Sequence, residues 1–216
     1  MLPSRSMNRR HLLLASLPLT LAFVACGKRK SSSPVLKPDA RVLALGDSLT
    51  VGYGATPEQA WPAILAQLTG WQIDNEGVNG DTSAGALERF QALLATSSYD
   101  AVLVGIGGND MLRGMSQQTT KDNVAAIVRS ALAHTPYVAV IATPRPEPLR
   151  ATVGSLSDAG FYEEVATAEK ALLIPDVYST VLSDAALRSD RIHANAQGYA
   201  VIAKQLADKL KAAGWR

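Results

Sequence analysis

Short apolar runs alternate with amphipathic segments from about residue 40 to the end of the chain. The apolar runs have the length of buried strands, and the other segments show the 3.6-residue period of helices that bury one face. This alternation predicts an α/β fold in three layers, with helices on both faces of a five-stranded parallel sheet. The predicted strands are 41–46, 72–76, 101–106, 137–142 and 171–174, and the predicted helices are 57–69, 83–96, 117–134, 158–170 and 195–213.

The first apolar run ends abruptly at a serine. Val42 to Leu45 is followed by Gly46-Asp47-Ser48, so Ser48 is expected at the carboxyl end of the first strand. Ligands bind at this edge in open α/β sheets. This segment alone leaves two interpretations of Ser48, a catalytic nucleophile or the N-cap of the following helix, for which serine is a favoured residue.

Composition fits one domain with a full core behind an N-terminal targeting segment. The chain has 216 residues, of which 47% are hydrophobic and 19% are charged. The net charge is +2, and it becomes −1 without the first 25 residues, which carry three arginines and no acidic residue. Because the charges are so balanced, the chain lacks the basic surface of a nucleic-acid-binding protein.

The N-terminus has the layout of a bacterial lipoprotein signal. An apolar stretch from Leu12 to Ala25 follows Arg9 and Arg10, and it is too short for a comfortable membrane span. It closes on Phe23-Val24-Ala25-Cys26-Gly27, which resembles a lipobox with Cys26 as the lipidated first residue of the mature protein. The alternative is a plain secretory signal in which Cys26 is incidental. We expect a signal peptide over 1–25, a flexible tether over 26–39 and one domain over 40–216.

A catalytic serine needs a base within hydrogen-bond reach and an acid that orients this base. Of the three histidines, His11 lies in the signal, and His134 ends the helix before the fourth strand, at the edge opposite Ser48. His193 is expected at the same edge as Ser48, a short connection after the last strand. Asp190 lies three residues before His193, within reach of the imidazole. Taken alone, an Asp-x-x-His pair is more often a pair of exposed surface residues without a catalytic role.

Two turns at the same edge could supply hydrogen-bond donors to a developing oxyanion. Gly80 follows the second strand and could offer an unhindered N–H, and Asn109 follows the third strand and could offer its amide. Considered singly, Gly80 is more often a glycine turn and Asn109 more often a helix cap than an oxyanion donor. The Asn109 turn is not a dinucleotide-binding motif, because Asp110 stands where the third glycine should be.

Together these segments resemble the block motifs of the SGNH (GDSL) hydrolases over about residues 40–213. The chain is most similar to the bacterial thioesterase I/arylesterase/lysophospholipase L1 group. It departs from the family pattern at Ala194, where proline is usual, and at Arg191, where a small residue is common. The four blocks are Gly46-Asp47-Ser48-Leu49-Thr50, Gly77-Val78-Asn79-Gly80-Asp81-Thr82, Gly107-Gly108-Asn109-Asp110 and Asp190-Arg191-Ile192-His193.

The resemblance implies a flavodoxin-like fold and a role for each block residue. Ser48 would be the nucleophile and His193 the general base, with Asp190 orienting the base. The oxyanion would be held by the Ser48 N–H, the Gly80 N–H and the Asn109 side chain. No cofactor is implied, and the sequence shows no paired-histidine or Cys/His cluster that would indicate a metal.

The main hypothesis is a serine esterase that forms an acyl-enzyme with carboxylic esters or thioesters of lipid-like or aryl acyl groups. Met111, Leu112, Met115 and the irregular stretch 143–157 are expected to line an apolar acyl groove. One alternative is a carbohydrate or peptidoglycan O-acetylesterase, and another is a non-catalytic flavodoxin-like binding lipoprotein. The expected partners are a small-molecule or lipid ester and, through Cys26, a membrane of the cell envelope, with the domain facing the periplasm.

Overall fold

The computed structural model describes residues 35–146 and 155–216. Five strands form one sheet in the order β2-β1-β3-β4-β5, and every neighbouring pair is parallel. The strands are β1 (Arg41–Gly46), β2 (Gln72–Gly77), β3 (Ala101–Gly105), β4 (Val138–Ile141) and β5 (Leu172–Ile174). The predicted five-stranded parallel sheet is therefore confirmed. The predicted signal peptide, Cys26 and most of the tether lie outside the described residues.

Eight α-helices occur in these two ranges, and three of them were not predicted from the sequence. The unpredicted helices α1, α4 and α7 have four, five and seven residues, too few for a helical period to show. None of the eight is both long and apolar enough to cross a membrane. The helices are α1 (Ser48–Val51), α2 (Trp61–Thr69), α3 (Ser83–Thr96), α4 (Gly108–Leu112), α5 (Gln117–Leu132), α6 (Phe161–Glu169), α7 (Val177–Ser183) and α8 (Ala196–Ala212).

The interior strand β1 is apolar on both faces because helices cover both faces of the sheet. Val42 and Ala44 face one layer, where they belong to a core cluster with residues of α2 and α8 such as Trp61 and Ile202. Leu43 and Leu45 face the other layer, in a cluster with residues of α3, α5 and α6. The two-residue period of a strand thus divides one continuous apolar run between two cores.

Glycines at the carboxyl ends of three strands let the chain turn tightly there. Gly46 of β1 lies in register with Gly77 of β2 and with Gly105 of β3. A Cβ atom at Gly46 would overlap the Thr50 side chain and the Gly105 carbonyl oxygen, and one at Gly77 would overlap the backbone of Val51. Because these side chains are missing, α1 can pack directly on the end of the sheet. This packing places Ser48 at the carboxyl edge.

Candidate active site

Ser48 is the first residue of α1 and follows β1 after a single intervening residue. The N-cap of this helix is Asp47, whose Oδ1 accepts a hydrogen bond from the Leu49 N–H at 3.0 Å. The interpretation of Ser48 as the cap is therefore wrong. Since Asp47 performs the capping, the Ser48 hydroxyl group is available for another partner.

That partner is His193. Its Nε2 lies 2.9 Å from Ser48 Oγ, and its Nδ1 lies 2.7 Å from Asp190 Oδ2. The fold thus joins two residues that are 145 positions apart with a third in one hydrogen-bonded chain. A carboxylate at Nδ1 holds the proton there, which leaves Nε2 able to accept the serine proton.

Asp190 is held as an anion by its hydrogen bonds. Its Oδ1 accepts the backbone N–H groups of Ile192 and His193, each at 2.8 Å, while Oδ2 faces the imidazole. Partial burial alone would raise the pKa of Asp190, but the hydrogen bonds from the His193 side chain and from these two N–H groups outweigh it and lower the pKa. An ionised Asp190 is the form that can orient His193.

Gly80 and Asn109 lie at the same edge, in the turns after β2 and β3. Gly80 has a φ of 75°, a conformation that favours glycine, so the interpretation as a glycine turn is correct. Asn109 lies in the first turn of α4, whose N-cap is Gly107, so its interpretation as a cap is wrong. Its Nδ2 donates to the Asp81 carbonyl oxygen at 2.9 Å.

The backbone donors expected for an oxyanion have no acceptor in the described ranges. Neither the Ser48 N–H nor the Gly80 N–H donates a hydrogen bond to a residue within 35–146 or 155–216. The Asn109 amide nitrogen has two hydrogens: one is donated to the Asp81 carbonyl oxygen at 2.9 Å, and the other makes only a long contact of 3.5 Å with Asp47 Oδ2, which a closer acceptor can replace. The arrangement can therefore present three donors to an oxygen bound beside Ser48.

Arg89 of α3 connects the segments of this edge through hydrogen bonds. It was not found by the sequence analysis. Its guanidinium lies 2.7 Å from Asp81 Oδ2, 3.3 Å from the Gly46 carbonyl oxygen and 3.2 Å from the Glu76 carbonyl oxygen. One side chain thus ties the ends of β1 and β2 to the turn whose carbonyl group holds Asn109. No local motif marks Arg89, because an arginine on a helix surface is ordinary.

Asp110 is fully buried and fastens α4 to the start of α3. Its Oδ2 accepts the Ser83 N–H at 2.8 Å, and its Oδ1 accepts the Ser83 hydroxyl at 2.5 Å. Thr120 contributes a longer contact of 3.4 Å to Oδ1. The signal for Asp110 was present in the Gly-Gly-Asn-Asp block, whereas nothing marked its partners Ser83 and Thr120.

Asp47 is the most perturbed carboxyl group of the site. It is only 3% exposed, and this burial raises its pKa to about 7, with the charges of Asp81 and Asp110 acting in the same direction. The hydrogen bond from the Leu49 N–H opposes the rise. The Asn109 Nδ2 atom lies 3.5 Å from Asp47 Oδ2, so the carboxyl group also borders the expected oxyanion site.

A cleft of about 660 Å³ opens beside Ser48 and His193. Leu112 lines it as expected, but Met111 packs against a core cluster and Met115 is exposed outside the lining, so the groove prediction is wrong for both methionines. The described ends of the stretch 143–157 contribute to the wall, while residues 147–154 lie outside the described ranges. The other apolar lining residues are Leu49, Pro144, Pro146, Leu156, Leu182 and Ile192.

No metal site accompanies this cleft. Across residues 35–146 and 155–216, no group of three or more His, Cys, Asp or Glu side chains is placed to hold a metal ion.

Comparison with known proteins decides the family. Residues 44–201 match the model of the GDSL-like Lipase/Acylhydrolase family. The chain belongs to this family. The membership and the predicted fold are thereby confirmed, and both are consistent with a hydrolase of ester bonds.

Relatives of this GDSL-family chain include characterised enzymes and a solved structure. It is 32% identical to Esterase TesA of Pseudomonas aeruginosa over 142 residues, which span 62% of this chain and 69% of that protein. It is 41% identical to Thioesterase 1/protease 1/lysophospholipase L1 of Escherichia coli K12 over 96 residues, 43% of this chain and 45% of that protein. The structure of esterase EstA from Pseudoalteromonas sp., inhibited by monoethylphosphonate, is similar with a TM-score of 0.70 at 26% identity, covering 81% of this chain and 98% of that one.

The histidine loop of the GDSL-family chain is held without the usual proline. We expected a short connection from the last strand to His193, but α7 and a 3₁₀ turn (Ala185–Leu187) lie between them, so this expectation is wrong. Arg188 and Ala194 form an antiparallel bridge across the loop. Asn195 caps α8 through the Gly198 N–H at 2.9 Å and donates back to the Ala186 carbonyl oxygen at 2.8 Å. These bonds position the loop where Ala194 replaces proline.

Proposed function

We propose that this protein is a serine esterase that works through an acyl-enzyme intermediate. The observation that carries the proposal is the chain of hydrogen bonds from Ser48 Oγ to His193 Nε2, at 2.9 Å, and from His193 Nδ1 to Asp190 Oδ2, at 2.7 Å. The same three side chain types in this order activate serine nucleophiles on unrelated folds. In the proposal, Ser48 is the nucleophile, His193 is the general base and Asp190 orients the base.

Acylation begins when Ser48 Oγ attacks the carbonyl carbon of the ester and its proton passes to His193 Nε2. The developing oxyanion accepts hydrogen bonds from the Ser48 N–H, the Gly80 N–H and the Asn109 side chain. The bond from the carbonyl carbon to the leaving oxygen or sulfur then breaks. His193 returns the proton to this leaving atom, and the acyl group stays on Ser48.

Deacylation repeats these steps with water. His193 Nε2 takes a proton from a water molecule, whose oxygen attacks the acyl carbon. The bond to Ser48 Oγ breaks, the proton returns to Oγ and the free carboxylic acid departs. Asp190 stabilises the imidazolium formed in each half of the cycle, because its own pKa is lowered and it stays ionised.

The substrate class we propose is carboxylic esters or thioesters of lipid-like or aryl acyl groups. A cleft of about 660 Å³ with a largely apolar wall supports this choice, because an acetyl group would occupy only a small part of it. The names of the relatives, which include an esterase and a thioesterase with lysophospholipase activity, point the same way. A carbohydrate or peptidoglycan O-acetylesterase is the competing class.

Covalent labelling with a fluorophosphonate tests the nucleophile. We expect wild type to be labelled at one site and Ser48→Ala to be unlabelled. Ser97→Ala is the matched control, since Ser97 lies at the far end of α3, and this variant should label like wild type. A folded wild-type protein that resists labelling would sink the enzyme proposal and favour a non-catalytic binding lipoprotein.

An acyl-chain series tests the substrate class. Hydrolysis of p-nitrophenyl acetate, octanoate and palmitate should give its highest kcat/KM with one of the two longer chains, because these bury more apolar surface in the cleft. A sharp preference for acetate would contradict the lipid-like class and support the O-acetylesterase.

We also propose that Cys26 carries the lipid anchor of an envelope lipoprotein facing the periplasm, with the outer membrane favoured by Gly27 after the cysteine. The support is the sequence pattern from Leu12 to Gly27. The Cys26→Ser variant should move from the membrane fraction to the soluble fraction of cells that express it. Membrane association that persists in this variant would exclude lipidation as the anchor.

A further inference from the structure

Exposed large hydrophobic side chains are concentrated at one edge of the sheet. Seven such residues are prominent within the described ranges, and five of them lie in connections at the carboxyl edge. The remaining two, Val35 and Leu68, lie elsewhere and are similarly exposed, at 58% and 44%. The five, which we call the collar, are Tyr53 (50% exposed), Val78 (41%), Leu112 (47%), Met115 (39%) and Ile192 (42%).

Two residues of the collar line the catalytic cleft, a third packs on its histidine, and the other two lie in the turns after β2 and β3. The ring of Tyr53 packs 4.5 Å from the ring of His193, centroid to centroid, and Ile192 precedes this histidine and lines the cleft. Leu112 also lines the cleft, from the turn after β3. Val78 belongs to the turn after β2. Arg113, which follows Leu112, contacts this turn by donating a hydrogen bond to the Gly80 carbonyl oxygen at 2.7 Å.

Positive charge lies within the same surface. Arg145 and Arg191 line the cleft and are exposed, and the exposed Arg113 follows Leu112 in the chain. Asp47 is the single carboxyl group of the described lining and is only 3% exposed. Asp190 lies beside Arg191 with its side chain 45% exposed, and its carboxylate contacts the His193 imidazole. An apolar surface that carries arginines is complementary to a layer of acyl chains beneath anionic headgroups.

We propose that the collar docks the mouth of the cleft on the surface of an anionic phospholipid bilayer. In this orientation the apolar side chains enter the region below the headgroups, and the arginines contact the headgroup phosphates. Ester-bearing molecules in the outer lipid layer then reach Ser48 without crossing bulk water. The contact is separate from Cys26 and does not depend on which ester is hydrolysed.

An environment-sensitive fluorophore identifies the face that meets the lipid. The full chain with Cys26→Ser offers a cysteine-free background, because Cys26 is its one cysteine. Met115→Cys in the collar and Leu68→Cys away from it are matched sites, at 39% and 44% exposure, and Met115 does not line the cleft. Each is labelled with a nitrobenzoxadiazole dye and mixed with vesicles of phosphatidylcholine, with or without phosphatidylglycerol.

The docked orientation gives a blue-shifted, roughly twofold or stronger emission from position 115 with phosphatidylglycerol vesicles and little change with phosphatidylcholine alone. Position 68 should not respond to either. An unresponsive position 115, equal responses at both positions, or equal responses to the two lipids would overturn the proposal. A change at position 115 that grows with protein concentration without lipid would assign the collar to a second copy of the chain and overturn it as well.

Charge variants test the contact between the arginines and the headgroups. Arg145→Gln with Arg191→Gln should weaken binding to phosphatidylglycerol vesicles by about tenfold or more, because two cations leave the surface. The control with Lys211→Gln, an exposed lysine near the end of α8, should bind like wild type. Hydrolysis of soluble p-nitrophenyl butyrate is measured for every protein. Full activity without a lipid response would reject the docking alone, whereas a lipid response without activity would reject the proposed function alone.

Discussion

The amino and carboxyl edges of the sheet differ in whether their polar groups find hydrogen-bond partners within the fold. At the amino edge, Asp100 accepts the Arg41 N–H at 2.8 Å and, through its carbonyl oxygen, the Thr135 hydroxyl at 2.5 Å. Arg41 also lies 2.7 Å from Asp74. These named polar groups therefore satisfy one another, and together they join the starts of β1, β3 and β4.

At the carboxyl edge, polar groups are kept for a partner outside the fold. The N–H groups of Ser48 and Gly80 have no acceptor in the described parts of the chain, and Asp47 is buried with its pKa raised to about 7. The collar leaves apolar side chains exposed around them. Each of these features lowers stability in isolation, and such departures are expected where a protein binds and reacts.

Two histidines express the same contrast. His134 follows α5 at the amino edge, and its Nδ1 lies 2.8 Å from the Ser130 carbonyl oxygen of the same helix. His193 at the carboxyl edge contacts a carboxylate with one ring nitrogen and a serine hydroxyl with the other. A histidine with a backbone partner in its own helix completes a helix end, whereas a histidine between an acid and an alcohol is arranged for proton transfer.

The largest expected difference between the two edges is the effect on kcat of removing each imidazole. His193→Ala should lower kcat by about 10⁴- to 10⁶-fold, because the serine proton then has no acceptor. His134→Ala should leave kcat unchanged. Steady-state hydrolysis of one soluble p-nitrophenyl ester by both folded variants checks this, and a nearly wild-type rate for His193→Ala would refute the assigned base.

Asp47 is expected to make stability fall as pH rises. Its folded pKa of about 7 lies above its ordinary value of 3.8, so between these pH values the folded state binds more protons than the unfolded state. Asp47→Asn keeps an acceptor for the Leu49 N–H and does not titrate. The free energy of unfolding of this variant, relative to that of wild type, should therefore rise by about 4 kcal/mol as the pH increases from about 4 to about 8.

Urea unfolding of both proteins at the two pH values measures this gain. The control is Asp208→Asn, which removes an exposed carboxylate of α8 that is paired with Lys204. A difference between wild type and Asp47→Asn that stays constant with pH would show that Asp47 does not titrate in this range.

Polar groups of the two edges should separate catalysis from stability. Asn109→Ala should lower kcat by roughly 10²- to 10³-fold with little change in KM, because one oxyanion donor is lost. Thr135→Val should lower the free energy of unfolding by about 1 kcal/mol, through the lost bond to Asp100, and leave kcat unchanged. Kinetics and urea unfolding on both variants test the separation, and it fails if Asn109→Ala raises KM alone.

The smallest expected effect concerns two arginines. Arg89→Met should lower kcat by about tenfold, or about 1.4 kcal/mol of activation free energy, because the turn that holds Asn109 loses its clamp. Arg89→Lys should recover part of this loss. Arg41→Met removes a half-exposed ion pair at the amino edge and should not alter kcat. Equal kcat values for the two methionine variants would contradict a positioning role for Arg89.

Regular, local features of the fold could be predicted from the sequence. The strands and long helices were found because their burial repeats along the chain, and the four blocks were found because each contains residues suited to catalysis after a strand. The short helices α1, α4 and α7 were not found, since four to seven residues are too few for a helical period to show. The cap of α1 is an example: Asp47 is the N-cap, although serine is about as favoured as aspartate at N-caps and Ser48 was the residue considered from the sequence.

The sequence by itself determined the alternation of strands and helices and the residue types available at each strand end. Only the tertiary structure decided that His193 lies 2.9 Å from Ser48, that Arg89 ties three backbone segments together and that five of the seven exposed large apolar residues in the described ranges share one edge. The physical reason is distance along the chain. Periodicity and turn chemistry act over a few residues, whereas these contacts join segments brought together by the packing of helices on a common sheet.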